Sequence, residues 1–316
     1  MLKRFLIGLI LVTALLIGLA VYYLYAPNLQ APLNAVEKVT ISFENRDRHY
    51  SVYYPPNLKS GARVLFVLHP SMSSGSEMRS WVGRTVERFA AKENTVVVYP
   101  DGFEGHFNDC RKMASYSARQ LNVDDVGFIQ SITEQLVAKK QVSTEHLYAL
   151  GYSNGGHLAF RLALEAPGLL KGIIAIAANL PATSNMACQP LGSLPRLVGL
   201  VVGSKDPINP YDGGQVTLFG FGNRGDVLSA DASAQWFANA AGASLSETQL
   251  TREISDSIVQ QKDWLSSAAH ISLITIVGGG HTIPQANFRF RRILGMTLED
   301  DIVLESVLGS ILGTQD

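Results

Sequence analysis

The sequence predicts an α/β fold: a mainly parallel, eight-stranded sheet with helices on both faces, preceded by one N-terminal transmembrane helix. Three observations predict it. The chain begins with a long apolar run that carries no charge beyond residue 4. Most later strand candidates are continuous apolar segments, which are typical of parallel strands covered on both faces. Helical segments lie between most of these strands, and that alternation is typical of a parallel α/β sheet.

The apolar run covers residues 5–26 and follows Lys3 and Arg4. About 22 helical residues, at about 1.5 Å each, cross a hydrocarbon core of roughly 30 Å. The run ends in a group of tyrosines that fits an interfacial aromatic belt. These features favour an uncleaved anchor with its N-terminus in the cytoplasm and the body of the chain outside it. A cleaved signal peptide, with a possible cleavage site at residues 18–20, and a buried core helix are the alternatives.

The predicted domains are the anchor or signal peptide at residues 1–26, a linker at 27–37 and one α/β domain at 38–316. The first two strand candidates alternate in polarity and predict an antiparallel opening pair. The eight strand candidates are residues 38–43, 49–54, 64–68, 95–99, 147–150, 172–177, 197–202 and 271–277. The helix candidates are residues 81–91, 124–139, 154–165, 232–241 and 300–312.

Charge and cysteine content exclude several classes of protein. A formal net charge of −1 argues against nucleic-acid binding, which needs a basic surface. The two cysteines, Cys110 and Cys188, are a possible disulfide if the body is exported, or two separate small hydrophobic residues. They do not form a zinc-binding pair, because no C-x-x-C motif is present. The sequence does not determine the oligomeric state.

One segment carries the strongest chemical signal. Residues 151–155, Gly-Tyr-Ser-Asn-Gly, lie between the strand candidate 147–150 and the helix candidate 154–165. This is the G-x-S-x-G pattern in a strand–turn–helix context, which exposes a nucleophilic serine on a sharp turn. Ser153 is therefore the candidate nucleophile. A partial match at residues 242–246 lacks the last glycine and follows a helix instead of a strand.

A nucleophilic serine needs a base and an orienting carboxylate, which in this context follow the serine in the order acid, then histidine. Asp206 follows the strand candidate 197–202, and His281 follows the strand candidate 271–277. Both lie where active groups of parallel sheets gather, at the carboxyl ends of the strands. Asp212 is an alternative to Asp206 as the acid, but it lies deeper in its loop. His157 lies one helical turn after Ser153, and a packed structural role suits it better than that of the base.

The remaining site predictions concern loops at the same edge. The backbone N–H groups of Asn154 and Ser71 are the candidate oxyanion-hole donors, since Pro70 has no N–H. The loop 211–230 has two interpretations: it forms a wall or lid of a pocket, or it is a surface loop. The polar residues at 108, 109 and 111 either line the pocket or form a polar turn. The candidate pocket residues are Asn108, Asp109, Tyr152, Tyr211 and Phe219.

Several further blocks of the sequence form a recognisable set: "YPDG" with "NDCR", "VDDVGFI", "GYSNGGHLAFRLA", "DPINPYDGG" and "GGGHTIP" with "FRFRRILG". Together these blocks resemble the polyhydroxybutyrate depolymerase-like esterases, a secreted type that includes feruloyl and acetylxylan esterases. The resemblance spans residues from about 48 to about 300 and implies an α/β-hydrolase fold, a Ser153–Asp206–His281 triad, and no metal or organic cofactor. The chain departs from the family pattern at Pro70, where a glycine is usual, and at Phe107, where a tryptophan is frequent.

These observations predict a serine esterase whose substrates are small or oligomeric esters, such as short hydroxyalkanoate oligomers or acyl and feruloyl-type esters. The predicted location is the membrane, with the bilayer contacted through residues 5–26 and the catalytic domain extracytoplasmic, or a secreted form. An acyltransferase or a peptidase with the same triad is an alternative. So is a catalytically inactive, membrane-tethered α/β-hydrolase module.

Overall fold

The computed structural model describes residues 2–26, 34–139, 142–246 and 249–313. Most of the predicted linker, residues 27–37, lies outside them. Helix α1 (Leu2–Leu24) precedes the domain. Its segment Leu6–Leu24 has a mean hydropathy of 2.5 and is long and apolar enough to cross a membrane. Length and composition do not separate an anchor from a signal sequence, so the membrane anchor and the domain boundaries stay predictions.

The domain is built on a sheet of eleven strands. Six of them form a parallel core, in the order β4-β3-β5-β6-β7-β13, and antiparallel strands extend it on both sides. The full order is β1-β2-β4-β3-β5-β6-β7-β13-β12-β10, with β11 paired to β12, while β8 and β9 form a separate ribbon. The strands are β1 (Glu37–Phe43), β2 (Arg46–Tyr53), β3 (Ala62–Leu68), β4 (Thr95–Pro100), β5 (Val142–Tyr152), β6 (Gly172–Ile176), β7 (Leu197–Gly203), β8 (Gly214–Gln215), β9 (Asp226–Val227), β10 (Ser244–Leu245), β11 (Leu250–Ile254), β12 (Ser257–Leu265) and β13 (His270–Ile276).

The predicted count of eight strands is wrong, although all eight predicted strands are present as β1–β7 and β13. The sheet continues past β13 into β12, which pairs with β10 and β11. The β11–β12 hairpin turns at Ser255 and Asp256, whose φ angles are +46° and +64°. Two consecutive positive φ angles are those of a type I′ hairpin turn. The strands beside this turn alternate polar and apolar residues, unlike the apolar runs of the core.

Helices cover both faces of the sheet, as predicted. One face carries α2 and α7, and the other carries α4, α5 and α6. Helix α5 has the bounds predicted from the sequence. Helix α2 starts at Gly75, six residues before the predicted first residue, 81. It starts there because Ser74 caps it by accepting a hydrogen bond from the Glu77 N–H. The helices are α2 (Gly75–Lys92), α3 (Ser117–Gln120), α4 (Asp125–Ala138), α5 (Asn154–Glu165), α6 (Ala230–Ala241), α7 (Ile302–Leu312) and a 3-10 turn (Arg292–Leu294).

The central strand β3 shows how the sheet divides the core. Val64, Phe66 and Leu68 pack against α4 and α5, whereas Leu65 and Val67 pack against α2. Successive side chains of a strand point to opposite faces of the sheet, so a continuous apolar run packs into the hydrophobic cores on both faces. This two-sided burial fixes the strands firmly, and the loops that follow β3, β5, β7 and β13 all emerge at one edge of the sheet.

Candidate active site

The turn between β5 and α5 holds Ser153 in a conformation that few residues adopt. Its φ and ψ angles are +54° and −112°. A non-glycine residue there is strained, and such strain is concentrated at functional sites. The flanking glycines make the turn possible: a Cβ on Gly151 would collide with the carbonyl of Gly155, and a Cβ on Gly155 would collide with the carbonyls of Leu68 and His69. The strand–turn–helix elbow predicted from the sequence is therefore present.

Three side chains from three different loops form one hydrogen-bonded chain at this edge. The Nε2 atom of His281 lies 2.9 Å from the Oγ of Ser153. Its Nδ1 atom lies 2.7 Å from the Oδ2 of Asp206. The His281 and Asp206 side chains are 6% and 2% exposed, which shields the chain from water. The structure thus brings together the three residues singled out in the sequence.

The acid and the base are each fixed by backbone contacts. The second carboxylate oxygen of Asp206 accepts hydrogen bonds from the N–H groups of Ile208 and Asn209, both at 2.8 Å. The carbonyl of His281 accepts a 2.6 Å hydrogen bond from the Tyr152 hydroxyl. Because these contacts hold the carboxylate and the imidazole in place, little reorganisation is needed for proton transfer.

The loop after β3 is organised by His69, which is completely buried. Its Nε2 accepts a hydrogen bond from the Gly102 N–H at 2.8 Å, so Nδ1 carries the proton and donates to the Pro70 carbonyl at 2.7 Å. Burial lowers the pKa of His69 to about 4, which keeps the ring neutral. A peptide's C=O and N–H point in opposite directions. Fixing the Pro70 carbonyl therefore also fixes the direction of the Ser71 N–H.

The other predicted oxyanion donor, the Asn154 N–H, lies in the first turn of α5, where backbone N–H groups have no partner inside the helix. Its side chain is engaged elsewhere. The Oδ1 atom accepts from the Phe107 N–H at 2.8 Å, and Nδ2 donates to Asp109 at 2.7 Å. The amide side chain thus ties the first residue of the helix to the loop that follows β4.

A charged cluster lies buried behind the elbow. The Asp109 carboxylate pairs with the guanidinium of Arg111 at 2.5 Å and also accepts a hydrogen bond from the Tyr116 hydroxyl. Burial by itself raises the pKa of Asp109, but Arg111 outweighs it and holds that pKa well below its usual range. The same burial, with the Asp109 charge, raises the pKa of the Tyr116 hydroxyl well above its usual range. This cluster was not predicted from the sequence, although the "NDCR" block contains two of its members.

No family model matches the chain. The chain is 27% identical over 288 residues to a protein named "Putative esterase NocK" from Nocardia uniformis subsp. tsuyamanensis, covering 85% of this chain and 80% of that protein. It is 26% identical over 161 residues to "Feruloyl esterase B" from Piromyces equi, covering 48% of this chain and 28% of that protein.

Among solved structures, the acetyl xylan esterase from Aspergillus awamori superposes with a TM-score of 0.55 at 12% identity, covering 79% of this chain and 95% of that one. At that identity the likeness establishes the fold. Together with the sequence similarity to proteins named esterases, it confirms the resemblance predicted from the sequence blocks. The chain therefore has the fold of that acetyl xylan esterase and is similar in sequence to proteins named esterases.

A cavity of about 240 Å³ is lined by Tyr116, whose hydroxyl accepts a hydrogen bond from the Asn154 side chain. One wall is formed by the loop after β4 and by the residues just before α3. The other wall is formed by residues 218–224. The loop 211–230 therefore forms a cavity wall, which was one of its two predicted roles. Its lining residues are His106, Ser115, Tyr116, Leu218, Phe221, Gly222 and Arg224.

The predicted pocket residues lie elsewhere. Asn108 and Asp109 have no exposed surface, so the prediction that they line a pocket is wrong: Asn108 bonds the Val123 carbonyl and Asp109 bonds Arg111 in the interior. Tyr152 is buried against the His281 ring. Tyr211 approaches Asp231 and Thr275. Phe219 is 39% exposed and is not among the residues that line the cavity.

Two further predictions concern the His157 side chain and the two cysteines. His157 is buried, and burial lowers its pKa well below the usual range, which agrees with a packed structural role. Cys110 and Cys188 form a disulfide. The Ala187 N–H also donates to the Cys110 carbonyl at 2.7 Å. The disulfide therefore anchors the loop that carries Asp109. Within the described residues, no group of three or more potential ligands is arranged to hold a metal ion.

Proposed function

We propose that this chain is a serine esterase that hydrolyses carboxylic esters through Ser153, His281 and Asp206. The single observation that supports it best is the hydrogen-bonded chain of 2.9 Å and 2.7 Å that links these three side chains. Similarity to proteins named esterases supports the reaction class. The strained conformation of Ser153 supports its role as the nucleophile, because strain of this kind presents the hydroxyl outside the turn.

The reaction runs in two halves. The Ser153 Oγ attacks the ester carbonyl carbon while the Nε2 of His281 takes the hydroxyl proton. The tetrahedral intermediate collapses, the bond to the alcohol oxygen breaks, and His281 returns the proton to that oxygen as the alcohol leaves. A water molecule then attacks the acyl-enzyme with His281 again as the base, releasing the acid and restoring Ser153. Asp206 keeps the His281 proton on Nδ1 and stabilises the charged ring.

The oxyanion is stabilised by the N–H groups of Asn154 and Ser71. The helix N-terminus at Asn154 supplies a free N–H with the positive end of the helix dipole. The Ser71 N–H is directed by the His69–Pro70 hydrogen bond. The buried Ser71 hydroxyl has no hydrogen-bond partner in the described part of the chain, so it is available as a further donor. Such preorganised donors supply a large share of the rate enhancement in acyl transfer.

The proposed substrates are short hydroxyalkanoate oligomers or acyl and feruloyl-type esters, as the family resemblance implies. The proposed location is the outer side of a membrane, with residues 5–26 in the bilayer, or a secreted form. The apolar helix segment Leu6–Leu24 supports it. So does the Cys110–Cys188 disulfide, because disulfides persist in oxidising compartments outside the cytoplasm.

The test is hydrolysis of p-nitrophenyl acetate by the full chain in detergent. Ser153→Ala is expected to remove activity by a factor of about 10⁴ or more, because the nucleophile is lost. The matched control is Ser244→Ala, since Ser244 lies in the partial G-x-S-x-G match and is exposed on β10. This control keeps the wild-type rate. Full activity in Ser153→Ala contradicts the proposal.

A further inference from the structure

The cavity lined by Tyr116 contains one arginine whose guanidinium has no anionic partner among the described residues. Arg224 reaches it from residues 211–230, and its guanidinium carbon lies 5.8 Å from the centroid of the Tyr116 ring. No described residue forms a salt bridge or a side-chain hydrogen bond with this guanidinium. Burial and the neighbouring Arg111 both lower the pKa of Arg224, so its surroundings disfavour the charged form.

The Asp109 carboxylate, which acts electrostatically on Arg224, does not neutralise it. Asp109 is already engaged by Arg111, by Tyr116 and by Asn154. Among the described residues, the Arg224 guanidinium is therefore left without a compensating negative charge. Partly buried charges are seldom left unpaired, because desolvation of an unpaired ion is costly.

Backbone contacts hold Arg224 where it is. Its N–H donates to the Val216 carbonyl at 2.9 Å. Its carbonyl accepts from the Asn185 side chain, also at 2.9 Å. Gly225 packs against that same asparagine, and a Cβ there would collide with it. The guanidinium is therefore presented to the cavity from a fixed backbone position, as a preorganised binding group requires.

One tyrosine connects the cavity to the residue that follows the candidate nucleophile. The Tyr116 hydroxyl accepts a 3.0 Å hydrogen bond from the side chain of Asn154, the residue directly after Ser153. The other face of the cavity is flat and apolar. The His106 ring stacks on Tyr116 at 4.7 Å, and burial lowers the pKa of His106, which keeps the ring neutral. Phe221 and Leu218 complete the apolar lining.

We propose that Arg224 binds a carboxylate carried by the ester substrate, so that the enzyme prefers esters with a free carboxylate over neutral ones. The proposal rests on the serine esterase function proposed above. One uncompensated guanidinium matches one negative charge, and its planar fork suits a carboxylate. Linear hydroxy-acid oligomers have this chemistry, because each carries one free carboxylate at the end of an apolar chain.

The test compares two substrates with the same scissile ester: the linear dimer of 3-hydroxybutyrate and its primary amide. The full chain in detergent is expected to show a kcat/KM at least about tenfold higher for the acid than for the amide, the size of a charge-assisted hydrogen bond. Arg224→Gln is expected to bring this ratio close to one, and Arg224→Lys to give an intermediate ratio. Arg252→Gln, which removes an exposed arginine from β11, keeps the wild-type ratio.

Three outcomes overturn the proposal. The first is a wild-type acid-to-amide ratio of kcat/KM near one, and the second is an unchanged ratio in an Arg224→Gln variant whose melting temperature is also unchanged. The third is no turnover of either dimer by an enzyme that does hydrolyse p-nitrophenyl acetate. Labelling of Ser153 by a fluorophosphonate probe separates this failure from failure of the proposed function. A wild-type enzyme that is not labelled contradicts the function itself, whereas a labelled enzyme with no effect of Arg224 contradicts only the carboxylate site.

Discussion

Two aspartates belong to the hydrogen-bonded surroundings of the Ser153 elbow, and they differ in their partners. Both side chains are almost completely buried. Asp206 pairs with the imidazole of His281, which also contacts the Ser153 hydroxyl. Asp109 pairs with the guanidinium of Arg111, which stays charged at any ordinary pH. Burial alone therefore does not distinguish the two carboxylates, whereas their partners do.

In the proposed mechanism, one aspartate serves the chemistry and the other serves stability. A proton moves between Ser153 and His281 in that mechanism, so the Asp206 carboxylate would stabilise a charge that forms and disappears in each turnover. On the Asp109 side the charges are permanent, so the carboxylate holds Arg111 and Asn154 in place. Four predictions test this division, from the largest expected effect to the smallest.

Asp206→Asn is expected to reduce kcat for p-nitrophenyl acetate by about 10⁴-fold. An asparagine oxygen still accepts from the Ile208 and Asn209 N–H groups, so the fold is retained. The amide nitrogen instead donates to the Nδ1 of His281, which moves the ring proton to Nε2 and removes the base. The melting temperature is expected to change little. The control is Asp212→Asn, an exposed aspartate in the same loop, which keeps the wild-type rate.

Asp109→Asn is expected to lower the free energy of unfolding by about 3–5 kcal/mol, because it leaves Arg111 buried without its counterion. Urea denaturation monitored by circular dichroism measures this loss. The same Asp212→Asn variant serves as the control and is expected to lie within about 0.5 kcal/mol of the wild type. A stable Asp109→Asn variant with a 10⁴-fold loss of kcat would reverse the assignment of the two aspartates.

The pH dependence of stability sharpens the same point. Because the pKa of Asp109 is lower in the folded than in the unfolded chain, its contribution to stability is complete above the ordinary carboxyl pKa of about 4. That contribution is lost as the pH falls from there towards the lower folded pKa. The difference in unfolding free energy between the wild type and Asp109→Asn is therefore expected to shrink between about pH 5 and about pH 2. A difference that grows on acidification would contradict it.

His69→Ala is expected to have the smallest effect, a loss of about tenfold in kcat with KM within about twofold, because His69 directs one oxyanion donor without touching the substrate. Steady-state kinetics on p-nitrophenyl acetate measures the division between kcat and KM. His49→Ala is the matched control, since His49 is exposed on β2 and its side chain bonds the Thr40 hydroxyl. A rise in KM without a change in kcat would place His69 in substrate binding instead.

Much of this architecture could be predicted from the chain alone, because it depends on local patterns. The apolar runs became the core strands, and α5 has its predicted bounds. Asp206 and His281 could be chosen because each directly follows such a run, and parallel strands bring their carboxyl ends to one edge. The three-strand extension at residues 244–265 was missed because its alternating, largely polar strands resemble surface segments.

The tertiary structure alone decided the surroundings of the elbow. Asn108 and Asp109 are polar residues in a loop, so their sequence context indicated a surface, but the packing of Phe107 and Asn154 carries that loop into the interior. Arg224 meets Tyr116 only because segments more than 100 residues apart converge on one cavity. The sequence by itself determined which groups are candidates for the chemistry, through motif and chain order. Burial and long-range pairing, which depend on the complete fold, decided which charges have partners among the described residues, and they left the Arg224 guanidinium as the group proposed to bind a substrate carboxylate.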